Sequence, residues 1–255
     1  MPRQKERNRL WEMIAQAGGV DEHEDRVRIL RQRQELLEHW TEHPWNYLTG
    51  KDTDGRPMIW TKDEGDLLHP VKPFPAHLDY LRLYLDILMH ENVVLVDKAR
   101  QMMVTWVTLL YADWECRFHV ARRCLLSKST EDEAKEILRD KVRFSHHKLP
   151  DWFKKTSPLR DRPEIRCSYP KTGSYILAVA ENVAEREARG GTASIVIVDE
   201  AARQREFESI MAASLPMATK IIAMTTAEVG NPGGKHFKTL IDEGKRVASM
   251  KVSGW

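Results

Sequence analysis

The sequence lacks several features that would assign a protein to a class at once. It has no apolar run near the ~20 residues that a membrane span needs, and its first ten residues, MPRQKERNRL, lack the apolar core of a signal peptide. Its three cysteines, Cys116, Cys124 and Cys167, follow no metal-binding spacing and cannot pair completely, which is typical of a reducing compartment. We therefore expect a soluble cytosolic protein without a membrane partner.

The sequence also has almost no net charge. Its 40 Lys and Arg residues against 38 Asp and Glu residues give a formal charge of +2 over 255 residues. This balance excludes a polybasic nucleic-acid clamp, so any contact with DNA must be local or shared among subunits. Internal repeats and low-complexity segments are absent from the sequence, and its length suits one large α/β domain or two small ones.

The first third of the chain is predicted to be helical and then irregular. Residues 1–43 carry charges of both signs and apolar side chains at helical spacing, which predicts an amphipathic helical arm with a break at Gly18-Gly19. Its charged face is either solvated or contacts another protein. Residues 44–77 hold five prolines, which predicts a mainly irregular cover with a candidate hairpin turn at Asp54-Gly55. Residues 78–90 then resume a helical pattern.

The segment VVLVDKARQMMVTW, residues 93–106, organises the rest of the chain. Four consecutive apolar residues predict a buried strand of a parallel sheet, and the pattern becomes helical from Met102 to Phe118. A basic loop followed by a helix that begins near Thr105 suits an anion. On the phosphate-loop pattern GxxxxGK[ST], Thr105 takes the Ser/Thr position, but Lys98 and Met103 stand on the two Gly positions and Val104 on the Lys position. By itself the segment also fits an ordinary strand-to-helix turn.

The second half of the chain predicts a series of strands. Residues 122–128 form a strand followed by a helix with Ser129 or Thr130 as its N-cap, residues 145–174 an irregular insert, residues 174–180 a strand and residues 181–192 a polar turn. Residues 220–224 form another strand, which leads through a Gly/Pro turn at 230–234 to a helix at 235–245 and a short stretch at 247–252.

The strongest local signal is SIVIVDEAA, residues 194–202. Four β-branched apolar residues followed by Asp199 and Glu200 predict a buried strand with two carboxylates at its carboxyl end, where open α/β sheets bind ligands. In a phosphate-loop enzyme the first acid supports Mg²⁺ and the second orients the attacking water. The alternative is a buried strand that ends in two exposed acids.

Four segments in this order resemble a known family: KARQMMVTW, LLSKSTEDEA, ARGGTASIVIVDEAA and IIAMTTAEVGNPGGKHF. Together they are similar to the ATPase domain of the large terminase subunit, the DNA-packaging motor protein of tailed bacteriophages, and the likeness covers about residues 44–255. The resemblance implies an α/β P-loop NTPase fold of the ASCE type, with a mainly parallel central sheet flanked by helices, in residues 44–255 and a helical arm in residues 1–43. It also implies that the nuclease domain of complete large terminases is absent from this chain, so we expect no nuclease activity.

The resemblance assigns roles to individual residues. It implies that Lys98 contacts the β- and γ-phosphates of ATP, that Arg100 lies near the γ-phosphate and that Glu200 is the catalytic glutamate. Thr105 and Asp199 match the Mg²⁺ ligands, Thr225 and Thr226 the coupling motif, and Arg189 an arginine finger acting in trans, with Arg186 as the fallback. The implied ATP-binding loop comprises Lys98, Ala99, Arg100, Gln101, Met102, Met103, Val104, Thr105 and Trp106.

Two departures from the family pattern affect this interpretation. Met103 stands at a loop position that is usually glycine, so its side chain must fit where backbone normally approaches phosphate. The Gln-containing adenine motif is missing before the first strand, where Pro73-Phe74-Pro75 stands instead. The adenine pocket is therefore left open, with Phe74 and Tyr80 either stacking on the base or packing as core aromatics.

The resemblance implies Mg²⁺-dependent ATP hydrolysis that drives double-stranded DNA into a procapsid. The implied partners are double-stranded DNA, the portal protein and the small terminase subunit. We expect a homo-oligomeric ring on the portal, a poorly active monomer in isolation, and a location in the host cytoplasm of an infected bacterium with transient binding at the procapsid portal. The alternatives are a helicase-like DNA-dependent P-loop ATPase and a non-catalytic ring scaffold, against which the intact Glu200 argues.

Overall fold

The computed structural model describes residues 20–252 except 64, 101 and 227–229, with side chains described from residue 24 to residue 244. The chain divides into two compact units, Met1–Met58 and Ile59–Trp255. The domain boundary expected between residues 43 and 44 stays a prediction. No helix among the described residues is both long enough and apolar enough to cross a membrane.

The described part of the first unit is helical as far as Leu48 and irregular from there to Met58. Helix α1 spans Val20–Glu42 and α2 spans Pro44–Leu48. Helix α2 begins after His43, whose ring nitrogen Nδ1 accepts a hydrogen bond from the Trp45 backbone N–H at 3.0 Å. Trp40 is fully buried and its ring centroid lies 6.1 Å from that of Tyr47. Helix α1 confirms a helical pattern in the predicted arm, whereas the predicted break at Gly18-Gly19 lies outside the described residues.

The second unit is built on a six-stranded sheet with the order β3-β8-β7-β4-β6-β5. All neighbouring strands are parallel except β5 and β6. The strands of this sheet are β3 (Val93–Asp97), β4 (Arg123–Lys128), β5 (Arg166–Tyr169), β6 (Ser174–Ala180), β7 (Ala193–Asp199) and β8 (Ala218–Thr225). A separate antiparallel hairpin pairs β1 (Trp60–Lys62) with β2 (Val71–Pro73).

Helices connect these strands and flank the sheet. They are α3 (Asp79–His90), α4 (Val104–Phe118), α5 (Glu131–Ile137), α6 (Phe144–Lys148), α7 (Asp151–Thr156), α8 (Glu181–Arg189), α9 (Phe207–Ser214) and α10 (Pro232–Val252). A π-helical segment, Leu138–Arg143, joins α5 to α6, and a 3₁₀ turn, Ala201–Arg203, follows β7. This architecture confirms the predicted fold class.

The sheet order places several polar strand ends side by side. Strand β8 lies between β3 and β7, with Asp97 opposite Thr225 and Asp199 opposite Met224. On the other side of β7, Ser127 of β4 is opposite Val198, so Lys128 is level with Asp199. The carboxyl ends of parallel strands lie along one side of the sheet, which we call the sheet edge. All these residues meet there, where ligands of open α/β sheets bind.

A hydrophobic cluster packs between the strands that end at this edge and the helices α9 and α10. It includes Val196, Val198, Ile221 and Ala223 from the sheet, together with Phe207 of α9 and Phe237 of α10, all buried. Helix α10 approaches the 3₁₀ turn closely at Gly233, where an added Cβ would lie only 2.7 Å from the carbonyl oxygen of Ala201. Only glycine fits there, because any Cβ at that distance would collide with main chain.

Several predicted elements are confirmed in place and type. The strands at 93–96, 122–128, 174–180, 194–198 and 220–224 are all present, and the helix predicted from 78 to 90 buries Leu81, Leu85 and Leu88 completely. The strand at 93–96 was wrongly predicted to be buried, because β3 is an outer strand of the sheet and only Val94 of this run is buried. Helix α5 begins at the predicted cap, since the hydroxyl of Thr130 accepts a hydrogen bond from the Glu133 backbone N–H at 3.3 Å. The helix predicted to begin near Thr105 begins at Val104.

Three predictions about irregular regions were wrong. Residues 181–192 are mostly helix α8 rather than a polar turn, because Ala184 and Ala188 are buried at helical spacing beneath a charged face. Residues 145–174 contain α6, α7 and β5, the last of which pairs antiparallel with β6. Residues 247–252 continue helix α10, and the predicted turn at 230–234 supplies the start of that helix, where Asn231 Oδ1 accepts a hydrogen bond from the Gly234 N–H at 2.9 Å.

Candidate functional site

The end of β3 carries Lys98 toward the acids that follow β7. The Lys98 backbone N–H donates to the carbonyl of Thr225 at 2.9 Å, which extends the pairing of β3 with β8 by one residue. Its Nζ then lies 3.0 Å from Glu200 Oε1. These side chains are only 9% and 22% exposed, so their interaction is weakly screened by solvent. The lysine at the start of the loop and the second acid therefore form a direct ion pair.

Asp199 lies between two other side chains of the same sheet edge. Thr105 Oγ1 donates to Asp199 Oδ1 at 3.3 Å, and Lys128 Nζ lies 3.0 Å from Asp199 Oδ2. The Asp199 side chain is 3% exposed and that of Lys128 is 13% exposed. Both carboxylate oxygens of Asp199 thus have polar partners, one from the helix after the loop and one from strand β4.

Glu200 is also held by the end of β8. Its Oε2 accepts a hydrogen bond from Thr226 Oγ1 at 3.2 Å and lies 3.5 Å from the Thr226 backbone nitrogen. Burial raises the pKa of the Glu200 carboxyl, but the hydrogen bond and charge of Lys98, with the contacts from Thr226, outweigh burial and lower the pKa below its usual value. Glu200 is therefore ionised at neutral pH.

The loop after Glu200 is fixed by buried polar groups. The Thr225 hydroxyl accepts a hydrogen bond from the Ala202 N–H at 3.2 Å, and the fully buried Gln204 amide donates to the carbonyls of Asp199 at 2.8 Å and Ser127 at 3.1 Å. Ser127 Oγ donates in return to Gln204 Oε1 at 2.6 Å. Because these groups satisfy one another, they hold the ends of β4 and β7 at a fixed spacing.

Two residues of the site have left-handed backbone conformations. Met103, immediately before α4, has φ 56° and ψ 2°, and Glu200 has φ 55° and ψ 46°. Such angles are unfavourable for residues with a Cβ and cluster at functional sites. The phosphate-loop pattern has glycine at this position. Glycine adopts a positive φ without steric strain, whereas Met103 adopts it with strain from its Cβ.

A cavity of about 580 Å³ opens beside the loop. Its volume lies within the range of small-molecule sites. It is lined by the loop and the start of α4, by the β1–β2 hairpin and by the π-helical segment, with residues that include Lys98, Ala99, Met103, Thr105, Lys72 and Lys141. Phe74 and Tyr80 are absent from this lining. Phe74 is buried, as expected of a core aromatic residue, whereas Tyr80 is 38% exposed and donates its hydroxyl to the Met102 carbonyl at 3.1 Å.

The remaining predicted residues lie in different surroundings. Arg100 is exposed at the loop, Val104 and Trp106 are buried in α4, and Gln101 lies outside the described residues. Arg189 is exposed at the end of α8, where it pairs with Glu185 at 2.6 Å, and Arg186 is exposed one turn earlier. The structure thus brings together Lys98, Thr105, Asp199, Glu200, Thr225 and Thr226, whereas Arg189 is exposed on α8 and its role stays a prediction.

The sequence interpretation gave no role to Lys128 or Gln204. Lys128 follows the apolar centre of its strand, so the rule that parallel strands end at one edge was a sufficient signal for its position. Gln204 had no comparable signal, because its importance comes from two carbonyls that only the folded chain places near it.

The donor set fits a hard divalent cation bound together with a phosphate ligand. Asp199 offers a carboxylate and Thr105 a hydroxyl, both oxygen donors of the kind that Mg²⁺ prefers. Among the described residues, no group of three or more His, Cys, Asp or Glu side chains forms a complete metal cage. One carboxylate with a hydroxyl nevertheless suffices for Mg²⁺, which usually keeps several waters and takes further ligands from substrate phosphates.

The fold and this edge define an α/β protein with a mainly parallel sheet and a polar ligand-binding edge. No family model matches the chain, and no curated protein matches it. Among solved structures, the HK97 bacteriophage large terminase aligns over 76% of this chain and 39% of its own chain, with a TM-score of 0.52 and 10% identity. The chain has the fold of this large terminase, as the sequence resemblance predicted.

Other phage terminase structures give lower scores. The large terminase ATPase domain of Thermus phage P74-26 aligns over 53% of this chain and 59% of its own, with a TM-score of 0.42 and 18% identity. The large terminase of the thermophilic bacteriophage D6E, in complex with ADP, aligns over 54% and 34%, with a TM-score of 0.39 and 14% identity. This chain thus spans less than two thirds of the length of each of these three structures.

Proposed function

We propose that this chain is the ATPase motor part of a phage large terminase, in which Mg²⁺-dependent ATP hydrolysis drives double-stranded DNA into a procapsid. The observation that carries the proposal is the meeting of Lys98, Thr105, Asp199 and Glu200 at one sheet edge, next to a cavity of about 580 Å³. Phosphoryl transfer to water needs these groups: a cation for the phosphates, oxygen ligands for a metal, and an ionised acid for the attacking water.

Each residue has a defined task in this proposal. Lys98 and Arg100 bind phosphate oxygens, and the start of α4 directs backbone N–H groups at the same phosphates. Glu200, kept ionised by its surroundings, orients the attacking water and accepts its proton. Mg²⁺ held by Thr105 and Asp199 would neutralise charge that develops on the β- and γ-phosphate oxygens.

The contact between Glu200 and Thr226 connects hydrolysis with movement. Because Glu200 Oε2 accepts a hydrogen bond from Thr226 Oγ1 at 3.2 Å, a change in the position of the acid acts directly on the end of β8. The chain then continues into helix α10, which packs against the 3₁₀ turn after Glu200. We infer that Thr225 and Thr226 transmit the state of the γ-phosphate along this route. The grip on DNA is expected to be directed mainly at phosphates and to weaken with salt.

The direct test is ATP turnover by the wild type, Lys98→Ala and Glu200→Gln in the presence of Mg²⁺, with and without duplex DNA and the portal protein. Loss of the general base is expected to reduce turnover by a factor of about 10²–10⁴. Lys155→Ala is a suitable control because Lys155 is exposed on α7, away from the site. Equal turnover by the wild type and both site variants in the assembled motor contradicts the proposal. Strand separation on a forked duplex would indicate a helicase instead.

The arginine finger is tested by mixing variants. Arg189→Ala retains Glu200, and Glu200→Gln retains Arg189, so each variant is expected to be inactive alone. A mixture contains interfaces at which an intact Arg189 faces an intact Glu200, and turnover is then partly restored if the finger acts in trans. Arg186→Ala is the matched control, since Arg186 lies on the same helix and is also exposed. Full activity of Arg189→Ala together with loss in Arg186→Ala assigns the finger to Arg186.

A further inference from the structure

Lys128 has an arrangement that the proposed catalytic roles do not explain. Its Nζ lies 3.0 Å from Asp199 Oδ2, and both side chains are largely buried. Among the described residues, Asp199 is the one ion-pair partner that Lys128 has. A lysine in this position neutralises the same carboxylate that is expected to face Mg²⁺, so a lysine and a metal would compete for one acid.

The buried carboxylate needs a positive partner at all times. Moving an ionised carboxyl into a site that is 3% exposed is costly unless it is paired, and the Thr105 hydroxyl at 3.3 Å supplies only a neutral donor. A divalent cation takes part of its ligands in such a site from substrate phosphates, so it binds weakly while they are absent. Without either, Asp199 would remain a buried and uncompensated charge.

We propose that Lys128 occupies the cation position of Asp199 while no divalent cation is bound, and that a cation enters only by displacing its ammonium group. The inference rests on the proposed function, because it concerns the same Mg²⁺ site. A divalent cation at Asp199 would stand close to the ammonium group, and the repulsion between the two positive charges forces the side chain away. Lys128 is then free to contact the phosphates that arrive with the metal.

The end of β4 that carries Lys128 is held in place, so an exchange of partners needs movement of the side chain alone. The preceding residue, Ser127, is held by both hydrogen bonds to the buried Gln204, which pins the end of β4. The long flexible stem of a lysine, with a single compact charge, exchanges one partner for another more easily than the planar fork of an arginine. A purely structural ion pair in this place would favour arginine, which binds a carboxylate with two parallel hydrogen bonds.

The test measures binding of Mn²⁺ without nucleotide, by the loss of the electron paramagnetic resonance signal of free Mn²⁺. Lys128→Met removes the competing charge, so we expect at least a roughly tenfold tighter dissociation constant than in the wild type. Lys128→Arg is expected to bind Mn²⁺ no better than the wild type. Adding Asp199→Asn to Lys128→Met should abolish the gain, which locates the cation at Asp199. The control is Lys155→Met, which changes the net charge equally at an exposed position.

Thermal melting adds a second measurement, in which the variant is expected to be less stable than the wild type without cations but to gain more stability from Mn²⁺. Without divalent cations, Lys128→Met is expected to melt below the wild type because Asp199 loses its partner, whereas Mn²⁺ should raise its melting temperature more than that of the wild type. If Lys128→Met does not fold, Lys128→Gln, which keeps a polar end, is used for the same titration. Unchanged or weaker Mn²⁺ binding in the folded variant overturns the proposal, since a structural lysine would not compete.

The two proposals fail in different ways. Turnover by the wild type together with unchanged Mn²⁺ affinity in Lys128→Met leaves the ATPase function intact and removes the exchange of Lys128 for a metal. Tighter Mn²⁺ binding in Lys128→Met without any turnover in the assembled motor leaves the exchange intact and removes the ATPase function.

Discussion

Two clusters of buried charges among the described residues are built differently. The site cluster consists of Lys98, Lys128, Asp199 and Glu200, and the structural cluster consists of Asp113, Arg117, His146 and Tyr169. In the structural cluster Arg117 Nε lies 2.6 Å from Asp113 Oδ2, and the two side chains are 0% and 1% exposed. In the site cluster the ion pairs are longer, at 3.0 Å, and Glu200 is 22% exposed.

The two clusters also differ in the source of their partners. Tyr169 donates its hydroxyl to Asp113 Oδ1 at 2.6 Å, and Arg117 donates to the Ser157 carbonyl at 3.1 Å. These contacts join helix α4 to β5 and to the end of α7, so no ligand can replace them without unfolding that region. In the site cluster two lysines satisfy two acids whose proposed partners are a metal and a water. The structural cluster therefore fixes the carboxyl-terminal half of α4, whereas the partners in the site cluster are the ones proposed to exchange.

The largest expected effect is the difference in stability between an acid-to-amide substitution in the structural cluster and one in the site cluster. Asp113→Asn leaves the buried Arg117 charge without its partner, and we expect it to lower the free energy of unfolding by about 3–5 kcal/mol. The same change of acid to amide at Glu200 is expected to cost less stability, because that side chain is 22% exposed and its amide oxygen can still accept a hydrogen bond from Lys98, while it removes turnover. Chemical denaturation of both variants beside the wild type measures the difference.

A similar loss of stability in both variants would break the comparison, since it would show that the site cluster is structural as well. Asp151→Asn is the control for a lost ion pair at the surface. Its carboxylate lies 2.8 Å from Lys154 Nζ but is 87% exposed. We expect almost no change in the free energy of unfolding there.

A smaller expected effect is that the two clusters lose their contributions to stability in different pH ranges. Burial and then the neighbouring Arg117 lower the pKa of His146 to about 4, from an ordinary value of 6.5. As the pH falls, the unfolded chain therefore binds a proton at His146 before the folded chain does. The folded state keeps its full stability above pH 6.5 and loses part of it as the pH falls toward 4. Glu200, with a pKa lowered from 4.5, contributes stability that is lost only below that pH. Melting temperatures measured from pH 7 to pH 4 test this order.

The control for the pH effect is His146→Gln, which is expected to flatten the slope above pH 4.5 whatever its effect on overall stability. His147→Gln serves as the matched change, because His147 is adjacent and exposed. A slope that persists in His146→Gln would assign it to another group.

The same contrast explains what the sequence could predict. Apolar runs such as residues 93–96 and 195–198 predicted strands, and the acids after Val198 are contiguous with one of them, so half of the site was readable. Burial was predictable only for residues 195–198, because β3 lies at the end of the strand order and Val93 is exposed. The structural cluster joins Asp113 and Arg117 to residues about thirty to fifty-six positions later, and no local pattern encodes such pairs. Helix α8 was missed for a related reason: only two small alanines mark its buried face, and its many charges read as a turn.

The smallest expected effect concerns backbone strain in the loop. Met103 and Ala121 have the same φ of 56°, but Met103 lines the cavity and Ala121 lies in the turn between α4 and β4. Glycine relieves the steric cost at either position, partly offset by its greater freedom in the unfolded chain, so we expect each substitution to stabilise the fold by up to about 1 kcal/mol. Because only Met103→Gly changes the surface that faces the phosphates, only this variant should alter ATP affinity, measured by calorimetry with Glu200→Gln as background to prevent turnover. Equal ATP affinity in the two glycine variants would mean that the Met103 side chain makes no contact with the nucleotide, and that the loop tolerates methionine because its backbone alone binds phosphate.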